Sequence, residues 1–250
     1  MAEPLFAGRR FRPKPGATIA AGIAFLILIA LGVWQIERLG WKENLIAERH
    51  ERSTAPAIEL PAPGADISQL DFRHARAEGT FDHAQEMYLA ARSMNGNPGY
   101  HVVTPLDLAD GRVLLVDRGW IPIDRKDPAR RAEGQVQGPV AVEGLLRLPR
   151  PKSWLEPDNQ PAENMWYWME LPAMAAHLGL PAEKLVPVYM EAGPAPNPGG
   201  FPIGGQSRTE LRNDHLQYAI TWFGLAVALA VIWFLYHWKK PEEEGGGAAR

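Results

Sequence analysis

Cysteine is absent from the 250 residues. That excludes disulfides, CxxC redox pairs, thiolate copper sites and covalent c-type haem attachment. An exported domain of sufficient size is stable on its apolar core alone, so the absence is compatible with life outside the cytoplasm. A strong charge imbalance is also missing. The net charge is −3, which gives no electrostatic case for a nucleic-acid partner. Catalytic signatures are missing as well: there is no GxSxG, no HExxH, no Walker loop and no GxGxxG following a strand. The seven histidines, at 50, 74, 83, 101, 177, 215 and 237, include no i, i+4 pair with a nearby carboxylate in a zinc pattern. Asp71 or Asp82 beside His74 or His83 offers the parts of a hydrolytic pair, but exposed hairpins supply such neighbours routinely. The chain reads as a non-enzyme.

Long apolar runs are what the chain does have, although its mildly negative mean hydropathy hides them. No charge interrupts the stretch from Pro15 to Ile36. At ~1.5 Å per residue a helix over it reaches about 30 Å, the hydrocarbon thickness of a bilayer. A second run, from Leu216 to Trp238, has no formal charge beyond what His237 carries. Core helices of soluble proteins rarely stay apolar on every face for this length, so both runs are expected to span a membrane. Arg9, Arg10, Arg12 and Lys14 before the first run, with Ala30-Leu31-Gly32 inside it, resemble a signal peptide. The run continues through Val33, Trp34 and Ile36 to spanning length, and an uncleaved anchor is the better reading. Those same basic residues, with Lys239 and Lys240 after the second run, put both termini in the cytoplasm by the positive-inside rule. The middle of the chain is then exported. His237 is expected as an interface anchor beside Trp238.

The first helix continues past the membrane surface, with Trp34, Arg38, Trp41 and Leu45 on one face. An aromatic collar with a snorkelling arginine accounts for that pattern. Residues 53–68 are rich in Pro and Ala and read as an extended linker. Alternating apolar segments then predict strands over Phe72–Phe81, Glu86–Ser93, Tyr100–Leu108, Arg112–Arg118, Val140–Leu148 and Val186–Glu191. Asn95-Gly96-Asn97-Pro98-Gly99 is a turn signal, and Asp110-Gly111 between apolar runs is the strongest hairpin signal in the chain. A short helix is expected at Pro172–Leu178 and a shorter one before Asn213. Gly193 to Gly205 reads as a loop returning to the membrane, and the tail after Pro241 as disordered. The expected fold is a two-helix membrane protein with a mainly-β periplasmic domain, an antiparallel barrel or sandwich of α+β type. Its parts are a cytoplasmic segment 1–14, transmembrane helices 15–36 and 215–238, the domain 37–214 between them, and a cytoplasmic tail 239–250.

The head of the second run carries the one chemically suggestive constellation. Asn213 or Asp214 is suited to cap the helix, which leaves His215 in its first turn at the outer membrane surface. Tyr218, Ala219 and Trp222 follow at i+3, i+4 and i+7, so His215 tops an aromatic face. The partial positive charge of a helix N-terminus favours neutral imidazole, the form that ligates haem iron. The competing reading is plainer: His215 sits among the headgroups, with Tyr218 and Trp222 as belt residues. His237 lies about 33 Å further along the same helix by its ~1.5 Å rise, too far to share a cofactor.

Taken together, several blocks resemble the Surfeit locus protein 1 family, membrane assembly factors for haem-copper cytochrome c oxidase. They are LGVWQIERLGWKENLI at 31–46, GTFDHAQEMYLAARS at 79–93, GYHVVTPL at 99–106, VDRGWIPIDRK at 116–126, VEGLLRLP at 142–149, MWYWMELPAMA at 165–175 and LRNDHLQYAITWFGLA at 211–226. The resemblance covers most of the chain, with the blocks in the family's order. It implies a non-enzymatic role in the bacterial inner membrane, with haem a as a transient cofactor. The implied partners are the catalytic subunit of cytochrome c oxidase and haem a synthase. The family's haem-linked histidine maps onto His215, the expected axial ligand of the haem iron. Around it, geometry suggests Tyr218 and Trp222 against the ring and Arg38 or Arg212 on its propionates. A scaffold that stabilises the catalytic subunit without touching haem is the alternative. A membrane-anchored sensor is the weaker one, because residues 1–14 and 239–250 are too short for an output domain. Arg92, Arg118, Gly119 and Trp120 also fall inside these blocks; Arg118-Gly119-Trp120 reads as a strand-to-turn corner with a packed tryptophan.

Overall fold

A computed structural model describes residues 10–11, 13–207 and 211–239. Arg9, Arg12, Lys240 and the tail after Pro241 lie outside them. In chain order the main elements are β1 (Arg10–Phe11), α1 (Pro15–Thr54), β2 (Ile58–Glu59), β3 (Arg73–Phe81), β4 (Met87–Met94), β5 (Asn97–Leu108), β6 (Val113–Pro122) and β7 (Pro139–Arg147). They continue with β8 (Met165–Trp166), α2 (Leu171–His177), β9 (Leu185–Ala192), α3 (His215–His237) and β10 (Trp238–Lys239). The chain forms two compact units, Met1–Ile46 with Leu211–Arg250, and Ala47–Glu210.

The first unit is a pair of helices. Both are long and apolar enough to cross a membrane, and their large side chains point outward. Ile19, Ile23, Leu26 and Ile27 of α1 are exposed, as are Ile220, Val227 and Val231 of α3. A helix that buried this face in a protein core would hide such residues, so the surface suits lipid. Small residues make the seam between the helices: Gly32 of α1 is buried, as are Ala219 and Ala226 of α3. Without a hydrophobic drive between helices in lipid, close approach at small residues supplies the packing. Towards the chain termini, Phe11 pairs with Trp238 in the β1–β10 ladder, and Trp233 Nε1 donates to Thr18 Oγ1 at 3.3 Å. His237 does not reach outward as an interface anchor. It is 1% exposed, its Nδ1 is 2.8 Å from the Trp233 carbonyl, and Phe11 and Trp233 flank the ring.

The second unit is built on a closed sheet. β3 pairs with both β7 and β5, and β7–β9, β9–β6 and β6–β5 complete a five-stranded circuit. β2 adds to β3 outside that circuit, while β4 adds to β5 and β8 to β4. All five ring pairings are antiparallel except β6–β9. That parallel contact departs from the antiparallel expectation; it is possible because residues 123–184, carrying β7, β8 and α2, form the long crossover such a pair needs.

Period-two alternation explains the continuous apolar run in β6. Leu114 and Val116 pack with Ala75, Ala77, Leu106, Leu146 and Met190. Val113 and Leu115 turn the other way, onto Trp166, Met174 and Leu178 beside α2. Both faces of β6 are covered, so polar alternation disappears from its sequence. A slip of one residue would exchange the two cores.

The turns follow their chemistry. Asn95 and Gly96 both have positive φ, +51° and +82°, and close a two-residue hairpin in which Met94 pairs with Asn97. The strand therefore takes in Pro98 and Gly99, beyond the turn expected over 95–99. At Asp110-Gly111 the glycine has φ +83°, and Leu108 N–H donates to the Arg112 carbonyl at 2.9 Å. The short helix expected before Asn213 is not found over 201–207 or 211–212, and 208–210 lie outside the described residues; a 3-10 turn at Pro198–Gly200 is the nearest helical element. Pro202 and the Gly204-Gly205 pair oppose a helix, and the segment instead hydrogen-bonds to β6, with Ile203 exchanging both backbone bonds with Trp120.

Candidate functional site at the helix seam

Helix α3 begins at His215 with Asp214 as its N-cap residue. The Asp214 side chain does not close the cap; its carboxylate holds Arg212 at 2.5 Å. Asn213 Oδ1 instead accepts the His215 N–H at 3.4 Å. The first turn is thus ordered by three consecutive polar residues, and the imidazole is held on the side of the helix that meets α1.

There it meets Gln35. His215 Nδ1 lies 2.7 Å from Gln35 Oε1, and Gln35 is only 8% exposed. An amide oxygen only accepts, so Nδ1 carries the proton and the lone pair is left on Nε2. Metal-ligating histidines are commonly oriented this way, by a carbonyl or carboxylate on the far ring nitrogen. The signal for Gln35 in the sequence is a lone amide inside the apolar Trp34-Gln35-Ile36. A buried polar group at membrane depth is costly, and it persists where it has a partner or a task.

The other expected site residues distribute unevenly around this pair. Tyr218 is exposed and Trp222 half-buried on α3. Ala219, one turn below His215, is closed into the seam at 1% exposure. Arg38 follows Gln35 by three residues, but its guanidinium lies over the Trp41 ring at 4.0 Å. Arg212 is exposed and paired to Asp214. Neither arginine bonds to His215. One turn deeper, a Cβ placed on Gly32 would come 2.5 Å from Phe223 Cε1. The seam is in contact there and leaves no space between the helices at that level.

In the central unit, Arg118, Gly119 and Trp120 lie within β6 at a bulge, not at a turn. Trp120 is packed, as expected. Arg118 is buried in a polar cluster around Glu86, which the sequence did not reveal. Arg131 makes a two-pronged contact with Glu86, at 3.1 and 2.6 Å, and also reaches the Tyr88 hydroxyl at 3.1 Å. Arg118 approaches Glu86 at 3.5 Å and bonds to the Gly134 carbonyl and to Asn197 Oδ1. Burial pushes the Arg118 guanidinium down to about 10, with Glu86 working against the shift. His83 Nδ1 joins it, 3.3 Å from Arg118 and 3.5 Å from Glu86. The parts of this cluster come from segments around residues 83–88, 118, 131–134 and 197, which it clamps together.

A model of the SURF1 family matches residues 22–227. Surfeit locus protein 1 of Mus musculus is 38% identical over 230 residues, covering 84% of this chain and 74% of the mouse protein. The Homo sapiens protein of the same name is 38% identical over 220 residues, covering 82% and 72%. A SURF1-like protein of Monosiga brevicollis is 34% identical, covering 88% of this chain and 87% of its own length.

Proposed function

The chain belongs to the SURF1 family, and from that premise we propose that it is a non-enzymatic assembly factor for haem-copper cytochrome c oxidase. In this reading it sits in a bacterial inner membrane through α1 and α3. Both termini are cytoplasmic, and the β-rich domain is periplasmic. It binds haem a through His215 and aids its insertion into the catalytic subunit, receiving the haem from the synthase that makes it.

The observation that carries the haem reading is the bond between His215 Nδ1 and Gln35 Oε1. It fixes the imidazole in the tautomer an axial ligand requires, and it restricts the ring's rotation before any ligand arrives. Haem a would supply an iron that His215 Nε2 could hold and two propionates for cationic partners. Tyr218 and Trp222 offer aromatic surface on the same helix. Arg38 and Arg212 are the cations nearest in sequence to the pair, and each must leave its present partner, Trp41 or Asp214, to reach a propionate. An assembly factor must also release its cargo. A single histidine ligand on a surface open toward lipid suits transfer better than an enclosed pocket.

The contact of the seam at Gly32 and Phe223 favours one alternative: the helix pair serves only as an anchor, and the protein acts as a scaffold. Replacing His215 by Ala in cells that make haem a separates the two readings. Loss of both bound haem and assembled oxidase supports haem delivery. Intact oxidase assembly with His215→Ala supports the scaffold.

A further inference from the structure

The central unit holds a polar cavity of about 660 Å³ that the haem reading leaves unused. Its shape comes from two strand irregularities on either side of His101. On the β4 side, the register passes from Leu89↔His101 to Arg92↔Gly99, three residues against two. The extra residue is accommodated by Ala91 at φ +55°, a left-handed conformation unfavourable for a residue with a Cβ. On the β6 side, the register passes from His101↔Trp120 to Val103↔Asp117, two residues against three. Here Gly119 takes φ +112°. A Cβ at Gly119 would meet the Ile203 carbonyl at 1.9 Å, so only glycine fits. Bulges re-aim side chains and collect beside functional sites. These two bring Arg92 and Asp117 to the cavity with His101 between them.

The charged groups that line the cavity are committed to different degrees. Arg147 is neutralised by Asp71 at 3.0 Å and Glu191 at 2.7 Å. Arg150 is held by both carboxylate oxygens of Glu156. Arg92 differs, because no carboxylate pairs with it among the described residues, and its contact is the Tyr167 carbonyl at 3.5 Å. His101 Nδ1 is 2.8 Å from Asp117 Oδ2, while Asp117 Oδ1 accepts the Gly119 N–H at 2.9 Å. The dyad is thereby fixed in orientation: a carboxylate only accepts, so Nδ1 carries the proton, and Nε2 is left as an acceptor for a hydroxyl or N–H of a ligand. The Arg92 guanidinium fork, which no carboxylate pairs with among the described residues, matches a planar or tetrahedral oxyanion in this concave wall. The cavity volume is in the range of small-molecule sites.

We propose that this cavity binds a small organic anion through a carboxylate or phosphate group held by Arg92, with His101 Nε2 accepting a hydrogen bond from a hydroxyl of the same ligand. The site is distinct from His215 and does not depend on haem.

Calorimetric titration of the full chain in detergent tests it, with succinate and inorganic phosphate as probes and succinamide as the uncharged control at matched ionic strength. Saturable binding of one or both anions is expected, with none for succinamide, and the preferred probe identifies the group. Arg92→Gln should weaken binding at least tenfold, and Arg92→Lys should fall between, since it keeps the charge without the fork. His101→Gln should weaken phosphate, whose P–OH donates to Nε2, several-fold, and His215→Ala should leave binding of either probe unchanged. Absence of saturable binding by either probe, or equal affinity in Arg92→Gln, overturns the proposal. If Arg92→Gln does not fold, full affinity in Arg92→Lys and His101→Gln together overturns it.

Discussion

Gly32 lies against the ring of Phe223 so closely that any side chain on the glycine would enter it. This contact sets how near α1 and α3 can come, and the Gln35–His215 bond one turn of α1 away depends on that spacing. Gly32→Leu is expected to separate the helices and break the bond, with a lowered unfolding temperature and a changed imidazole ¹⁵N resonance for His215. Phe223→Ala alone opens a gap at the same place. The double variant should recover part of the loss, because the two residues share one volume. Additive effects in the double variant would show that the seam does not form as described.

The Glu86 cluster predicts a larger and separate effect in the central domain. Glu86→Gln leaves the Arg118 and Arg131 guanidinia buried without their shared anion. Removing one member of a buried charge pair costs about 3–5 kcal/mol. Denaturant unfolding followed by tryptophan fluorescence should register a loss of that order. A change below ~1 kcal/mol, the size typical of an exposed pair, would contradict the burial.

Glu156 gives a prediction in pH. The Arg150 guanidinium and the Ser153 N–H hold its carboxyl down at about 2, from the usual 4.5. A carboxylate depressed in the folded state contributes stability that is fully present above 4.5 and is lost as pH falls through about 2. Carboxyl ¹³C titration should place the Glu156 midpoint near the lower value. Arg150→Gln should return it toward 4.5. An unchanged midpoint in that variant would rule out Arg150 as the cause.

Much of this architecture was legible in local sequence, because local pattern encodes it. The spans announce themselves by uninterrupted apolar length, and the six strands and α2 by alternation and turn chemistry, each within a few residues of the observed bounds. Closure of the sheet was not legible, since the β3–β5 contact through Gly79, Thr80 and Phe81 is decided only when the ring assembles. His215 is legible because it stands at the head of an apolar run, where the helix starts. Its partner Gln35 lies 180 residues away, and nothing local ties the two together. His101 and Asp117 are hidden for the same reason: they are 16 residues apart on neighbouring strands, and a bulge, not a motif, joins them.

Gly119 offers a compact check on that bulge. Gly119→Ala combines a positive φ with a backbone clash against Ile203. It should destabilise the central domain by about 1–3 kcal/mol, the range for strained backbone sites. It should also disturb the His101–Asp117 pair, visible as a shifted His101 resonance. Wild-type stability and an unmoved resonance would argue against the bulge geometry.

The central claim is that His215 ligates haem through a nitrogen prepared by Gln35. Its most direct test is the absorbance spectrum of the full chain purified from cells that synthesise haem a, as wild type, His215→Gly and Gln35→Leu. Wild type should carry a Soret band, and His215→Gly should lose it and regain it when imidazole is added. Gln35→Leu should bind about 10–100-fold more weakly, as loss of an orienting partner does at other metal sites. An undiminished Soret band in His215→Gly without imidazole would contradict the account.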